Sequence, residues 1–168
     1  MKLIKLFDDK NYTPDLPVFH RDAARAVIMR DGKLAMVRSR QEGYYKFPGG
    51  GVEPGESYVD AMIRETAEEA GLRVVRESVW ELGYITERRH GIYGEEIFEM
   101  DSYFFYADVE DEVDEQKLDG YEAELGYVLE WVEPQKACEV NMRLNESGYR
   151  SKFLLREAEV LQAIIEKI

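Results

Sequence analysis

Between Gly50 and Leu72 the chain reads GGVEPGESYVDAMIRETAEEAGL, and three of its acids, Glu65, Glu68 and Glu69, recur at helical spacing. Like charges spaced in this way destabilise a helix. Two unit charges about 5 Å apart repel by roughly 3 kcal/mol at an effective dielectric near 20, and solvent and salt reduce that figure. Two chemistries fit the pattern. The acids form a solvated face, or they hold a divalent cation, because clustered carboxylates are the preferred ligands of Mg²⁺ and Mn²⁺. Spacing alone leaves both open.

The elements that must position these acids are legible nearby. Ser57 to Ala70 reads as a helix. Ser57 is placed to cap its start, with Asp60 three residues on as a short capping box, and Gly71 stands where a C-terminal cap belongs. At about 100° per residue, Val59, Ile63, Thr66, Ala67 and Ala70 gather on one side as a core stripe. Glu65, Glu68 and Glu69 then fall on nearly the opposite side. The Thr66 methyl can pack in the stripe while its hydroxyl bonds the carbonyl four residues back.

Elsewhere, AARAVIMRDGKLAMVRS reads as two strands around an Asp31-Gly32 hairpin turn. YYKFPGGG is a short strand breaking into a glycine turn. SVWELGYITER, FEMDSYFFYADV and YVLEWVEP are strand-like, and DEVDEQKLDGYEAE is a polar loop. EPQKACEVN starts a short helix. Residues 149–168 form an amphipathic C-terminal helix with Leu154, Leu155, Val160, Leu161, Ile164 and Ile165 as its apolar stripe. Residues 1–20 read as an extension or an edge strand. Strands and helices mix without regular alternation, so the expected class is α+β or an α/β/α sandwich with a mixed sheet.

The 168 residues suit one domain, and 45% apolar content suits a packed core. A net charge of -13 argues against coating a nucleic-acid backbone. The single cysteine, Cys138, allows no internal disulfide and reads as a core residue. Neither a signal-type apolar region nor a membrane-length apolar run is visible, so the expected location is the cytoplasm. The oligomeric state is open, a homodimer included.

Gly50, Glu56, Arg64, Glu65, Glu68, Glu69 and Gly71 match every fixed position of G-x5-E-x7-R-E-U-x-E-E-x-G-U, and Leu72 fills the last apolar position U. The segment resembles the Nudix box, and the element order from about Ala23 to Val132 resembles the family less specifically. Thr66 departs from the pattern, which wants an aliphatic residue there. The resemblance implies an α/β/α sandwich with the box as loop-helix-loop, and Mg²⁺- or Mn²⁺-dependent hydrolysis of a nucleoside diphosphate linked to another moiety. It implies that Glu65, Glu68 and Glu69 are metal ligands, that Glu56 is an outer ligand or a partner of Arg64, and that Arg64 is structural and away from the acid face. Gly50 lets the loop pass close to a metal-bound phosphate. Glu65 or a loop carboxylate acts on the attacking water.

Some members of the family use a further Glu outside the box. Glu124 and Glu122 in YEAEL are the favoured positions, ahead of Glu95, Glu96 and Glu99. Arg25 and Arg38 are candidates for phosphate pairing, and Tyr45 and Phe47 for stacking on a base, with Tyr44, Tyr84, Tyr103 and Phe105 as further aromatics. Arg88, Arg89 and His90 form a basic cluster, while neither His20 nor His90 shows a partner set for a metal. The expected partner is a small nucleotide. A non-catalytic nucleotide sensor is the alternative, and the four retained box glutamates count against it. An isomerase of diphosphates needs a pocket cysteine that Cys138 does not supply. The PGGG lead-in and the acidic charge count against RNA 5′-end processing.

Overall fold

At the Asp31-Gly32 turn both residues have positive φ, 50° and 75°. Arg30 pairs with Lys33 and Met29 with Leu34 across it, so the two-residue loop has the backbone hand that matches strand twist. In the computed structural model, which describes residues 1–92, 94–147 and 152–167, this hairpin sits among the following elements. The strands and helices are β1 (Leu3–Asp8), β2 (Val18–Val27), β3 (Met29–Arg30), β4 (Lys33–Ser39), β5 (Tyr45–Lys46), β6 (Gly49–Gly51), α1 (Tyr58–Ala70), β7 (Leu72–Val74), β8 (Trp80–His90), β9 (Ile97–Tyr106), β10 (Val109–Val113), α2 (Gly120–Leu125), β11 (Tyr127–Val132), α3 (Pro134–Glu146) and α4 (Lys152–Ile165).

The main sheet has the order β1-β8-β9-β2-β6. It is mixed: β1 runs parallel to β8 and β2 parallel to β9, while β8/β9 and β2/β6 are antiparallel. A second sheet joins β11, β4 and β3, with β5 on β4, and a small ribbon pairs β10 with β7. Alternate residues of the central strands face opposite ways. Ala24, Ala26, Ala35, Val37 and Phe105 join Met62 of α1 in one apolar cluster. Val27, Leu34, Met36, Phe104 and Ile85 join Val160, Leu161 and Ile164 of α4 in the other. The result is the α/β/α sandwich with a mixed sheet, α1 on one side and α3 with α4 on the other. No helix among the described residues is long and apolar enough to cross a membrane.

Some elements differ from their sequence reading. The polar stretch after β9 is not a continuous loop: it contains β10 and the short helix α2. The segment after Glu133 forms thirteen residues of helix rather than a brief one, with Pro134 in its first turn. The C-terminal helix is observed over Lys152–Ile165, and residues 149–151 and 168 lie outside the described residues. Leu154, Val160, Leu161 and Ile164 are buried as the stripe requires, but so are Arg156 and Glu157. The basic triplet Arg88 to His90 lies in β8. Cys138 is buried in the second cluster.

Candidate active site

The acids of α1 are placed by its two caps and by the glycine turn beside it. Ser57 accepts the amide of Asp60 at the start, and Gly71 ends the helix in the left-handed region at φ 68°. A Cβ at Gly71 would also lie 2.2 Å from the carbonyl oxygen of Asp114, so only glycine fits this cap. At Gly50 a Cβ would stand 2.3 Å from Oε2 of Glu65. The missing side chain is therefore the space into which that carboxylate projects.

Arg64 organises the acids around it. Its Nε and Nη2 each donate to a different oxygen of Glu56 at 2.9 Å, a two-pronged pair. Its Nη1 donates to Glu65 at 2.7 Å and to Glu68 at 3.3 Å, and Nη2 also reaches the Gly51 carbonyl at 3.1 Å. Arg64 thus lies within the acid face, contrary to the expectation that it stands away from it. The Arg64 hydrogen bonds hold Glu56 below the usual carboxylate range. Burial pushes Glu65 up despite Arg64, and neighbouring Glu69 adds to the rise.

Glu69 departs furthest from the wheel. It is 2% exposed rather than displayed to solvent. The Lys46 ammonium forms a close ion pair with its Oε1, and Oε2 accepts the amide of Gly49 at 2.9 Å. Ala67, expected in the core stripe, is exposed, while Ala61 and Met62 are buried in its place. The reason is that α1 is flanked by β2, β6, β7 and β11, so more than one face is covered. Thr66 is fully buried and its Oγ1 has no hydrogen-bond partner, so the expected bond to the preceding turn is not made.

The segment after β10 completes the site. The amide of Lys117 donates to the Glu68 carbonyl at 2.8 Å and that of Asp114 to the Gly71 carbonyl at 2.8 Å. The Gln116 side chain donates to the Glu69 carbonyl. These bonds satisfy carbonyls that a helix end leaves open. The chain then enters α2 through a capping box, Asp119 accepting the Glu122 amide at 2.8 Å and Glu122 accepting the Asp119 amide at 3.0 Å. Glu122 is brought against Glu69. Burial, with the charge of Glu69 beside it, raises Glu122 to about 7. Glu124 is exposed on the same helix.

Each box acid on α1 is thus held by a cation of the chain itself: Arg64 serves Glu65 and Glu68, and Lys46 serves Glu69. Glu65, Glu68 and Glu69, crowded on one helix and partly or fully buried, form a hard-oxygen donor set. That set fits a Mg²⁺- or Mn²⁺-sized ion. A different group meets a stricter geometric criterion: among the described residues, ligand atoms of His20, Asp22 and Asp101 all lie within 4.8 Å of one another. The sequence reading gave His20 no partners. The parallel pairing of β2 with β9 supplies them, setting His20 opposite Glu99 and Asp22 opposite Asp101. The imidazole contacts Asp22 at 3.0 Å and Glu99 at 3.1 Å, so it serves as their counter-cation when protonated. The group borders a cleft of about 660 Å³ whose other wall is the loop from Gly51 to Tyr58.

The candidates for substrate contact separate. Phe47 is fully buried, its ring edge-on to Phe104 at 5.7 Å, and is a core residue rather than a stacking platform. Tyr45 is buried with its hydroxyl on Glu130 at 2.8 Å, and Arg38 lies over its ring and pairs with the same glutamate. That group is self-contained on β4, β5 and β11, which removes Tyr45 as an open ring. Arg25 is buried beneath the glycine turn and donates to the Gly49 carbonyl at 3.0 Å. Sequence reasoning missed Lys46, whose position in YYKFPGG is its only signal.

A mixed-sheet sandwich with an acid-bearing loop-helix-loop on one side defines a class of fold built to present carboxylates at a glycine turn. Residues 19–155 match the NUDIX domain, and the chain belongs to the Nudix family. It is 35% identical over 68 residues to an RNA pyrophosphohydrolase of Pectobacterium carotovorum subsp. carotovorum (strain PC1), covering 40% of this chain and 34% of that protein. It is 42% identical over 55 residues to a CTP pyrophosphohydrolase of Escherichia coli (strain K12), covering 30% and 41%. The chain therefore spans well under half the length of these relatives. Among solved structures, a NUDIX hydrolase from Nitrosomonas europaea superposes with TM-score 0.58 at 21% identity over 86% of this chain and 90% of that one. A MutT structure from work on Aliivibrio salmonicida and Vibrio cholerae gives 0.57 at 18% identity, covering 89% and 100%. At these identities the structures speak for the fold.

Proposed function

We propose that the chain hydrolyses a diphosphate bond in a nucleoside diphosphate linked to another moiety, with Mg²⁺ or Mn²⁺ held by Glu65, Glu68 and Glu69, and Glu56 in support. The observation that carries this reading is the buried Glu69 carboxylate, matched by Lys46 and crowded by the proton-seeking Glu122. A divalent cation bound there supplies neutralisation of the phosphate oxygens and a more acidic water. The residues do the rest. Arg64 fixes Glu56 and steadies Glu65 and Glu68. Gly50 leaves the opening above Glu65. The proton lost by the attacking water passes to a carboxylate oxygen of Glu65 or Glu122, the two acids of the site whose proton affinity burial raises. One P–O bond of the diphosphate breaks as the water oxygen bonds to phosphorus, leaving a nucleoside monophosphate and the phosphorylated remainder.

The net charge of -13 favours a small nucleotide over a polyanionic strand. Nucleoside triphosphates, ADP-ribose, nucleotide sugars, dinucleoside polyphosphates and oxidised nucleotides form the assay panel. CTP and RNA belong on it because of the names carried by the matched relatives. The expected result is Mg²⁺-dependent release of a nucleoside monophosphate from at least one small nucleotide, reduced at least a hundredfold by Glu68→Gln. Turnover unchanged in Glu68→Gln and Glu69→Gln would sink this mechanism. Tight nucleotide binding with no product from any compound would favour a sensor.

A further inference from the structure

His20 and Asp22 share a face of β2 with Ala24 and Ala26, and Asp101 shares a face of β9 with Phe105, so the three stand on the α1 side of the main sheet. Tyr58, the first residue of α1, donates its hydroxyl to Asp22 Oδ2 at 3.1 Å and closes the group from the helix side. We infer that His20, Asp22 and Asp101 bind a divalent transition-metal ion, at a site apart from the acids of α1 and independent of whether those acids hold Mg²⁺.

The charge balance argues for a cation. The acids of α1 each have Arg64 or Lys46 beside them. Among the described residues, neither Asp22 nor Asp101 pairs with a lysine or an arginine, and His20 is the one ion partner of both. Arg88 is taken up by Glu99, and Arg21 lines the same cleft without an ion pair to either aspartate. Two carboxylates, their side chains 25% and 18% exposed, thus share one imidazole. The group is net negative whether that ring is neutral or protonated, and partial burial makes the deficit costly.

The bonding behind the three donors argues for a coordinated ion. Nδ1 of His20 meets Glu99 Oε1 at 3.1 Å. A proton held there fixes the tautomer and turns the Nε2 lone pair forward. Nε2 then faces Asp22 Oδ1 at 3.0 Å and Asp101 Oδ2 at 4.0 Å. Donor atoms about 2.1 Å from a shared ion stand roughly 3.0–3.4 Å apart, so Asp22 is already in place and a small turn of the Asp101 carboxylate completes the set. The far oxygen of each aspartate is held from behind: Tyr58 donates to Asp22 Oδ2, and the Thr86 hydroxyl to Asp101 Oδ1. Outer partners of this kind orient the ligands of metal sites. An imidazole nitrogen among the donors selects Zn²⁺, Co²⁺ or Mn²⁺ over Mg²⁺, which prefers oxygen alone. Three protein donors leave a position for water, on the side of the 660 Å³ cleft that His20 and Asp22 line.

The test uses Zn²⁺ alone with the whole chain. By calorimetry, a Glu65→Gln/Glu68→Gln variant, weakened at the acids of α1, is expected to take up about one equivalent of Zn²⁺ and to keep it in roughly a thousandfold excess of Mg²⁺. Adding Asp101→Asn or His20→Gln is expected to weaken that uptake about tenfold or more. The chain has two histidines, His20 and His90, so nitrogen-15 NMR of the unsubstituted chain reads the ligand directly. The Nε2 signal of His20 should shift with Zn²⁺ while its Nδ1 keeps a proton and His90 stays in place. A His20 Nε2 signal that ignores Zn²⁺, uptake unmoved by both Asp101→Asn and His20→Gln, no uptake once Glu65 and Glu68 are changed, or displacement by Mg²⁺ each overturns the inference. Failure of the α1 acids to bind Mg²⁺ overturns the metal reading above and leaves this site standing.

Discussion

Arg156→Met tests whether the buried ion network on α4 carries the glycine turn. Arg156 is 3% exposed and Glu157 fully buried. Two guanidinium nitrogens donate to Glu157 Oε1 at 3.0 and 2.8 Å, and a third reaches Glu87 at 3.2 Å and Ser102 at 3.5 Å. The other oxygen of Glu157 accepts the Phe47 amide at 2.7 Å, two residues before the turn. Methionine keeps much of the volume and removes the charge, leaving Glu157 and Glu87 without their principal cation. Breaking a buried pair from one side costs about 3–5 kcal/mol. A chain of this length unfolds with an entropy near 0.35 kcal/mol/K, at about 2.1 cal/mol/K per residue, so the melting temperature should fall by about 9–14 °C. Urea denaturation followed by circular dichroism should show a lower midpoint at unchanged slope. Adding Glu157→Gln, which keeps an acceptor for Phe47 while removing the stranded charge, should recover part of the loss. A loss under about 1 kcal/mol for Arg156→Met, or strict additivity in the double variant, refutes the reasoning.

Gly71→Ala should lower the melting temperature by about 3–9 °C, the left-handed cap alone costing about 1–3 kcal/mol, and a scanning calorimeter reads it directly. Gly50→Ala should fold nearly as well as the natural chain yet lose tenfold or more of the proposed diphosphatase turnover, because its Cβ takes the space of the Glu65 carboxylate. Mg²⁺ at a hundred times its dissociation constant should stabilise the chain by about 2.7 kcal/mol, roughly 8 °C, and Glu68→Gln should shrink that gain. For His20, burial pulls the imidazole down, but hydrogen bonds to Asp22 and Glu99 outweigh it and the net shift is upward. Its stabilising contribution is therefore complete below about pH 6.5 and is lost as pH rises through the raised value. A melting curve measured against pH should lose this slope in His20→Gln.

Local signals carried much of this fold. Asp31-Gly32, the glycine turn, Ser57 and Gly71 act on their own neighbours, so their consequences are readable along the chain. The wheel for α1 failed at Glu69 and Ala67 because it assumes one covered side, and the covering strands come from distant segments. Arg156 and Glu157 were hidden for a related reason: an amphipathic stripe counts apolar residues, and a buried ion network interrupts it. The His20 group exists only through the register of β2 with β9, which no local pattern reports. The α2 helix was a missed signal rather than a hidden one. Asp119-Gly-Tyr-Glu122 has the spacing of a capping box. The box glutamates themselves were recognised by resemblance, and the structure adds the cations, Arg64 and Lys46, that hold them.

The run from Asp114 to Glu122 works as a ruler. One end is pinned to the closing carbonyls of α1, and the other delivers an acid from outside that helix to Glu69. The spacing between the two pins is therefore under tighter constraint than the exposed β10 strand that precedes it. One residue added between Lys117 and Glu122 changes which side chain reaches the site. Variation in length among sequences of this kind should vanish between the two pins.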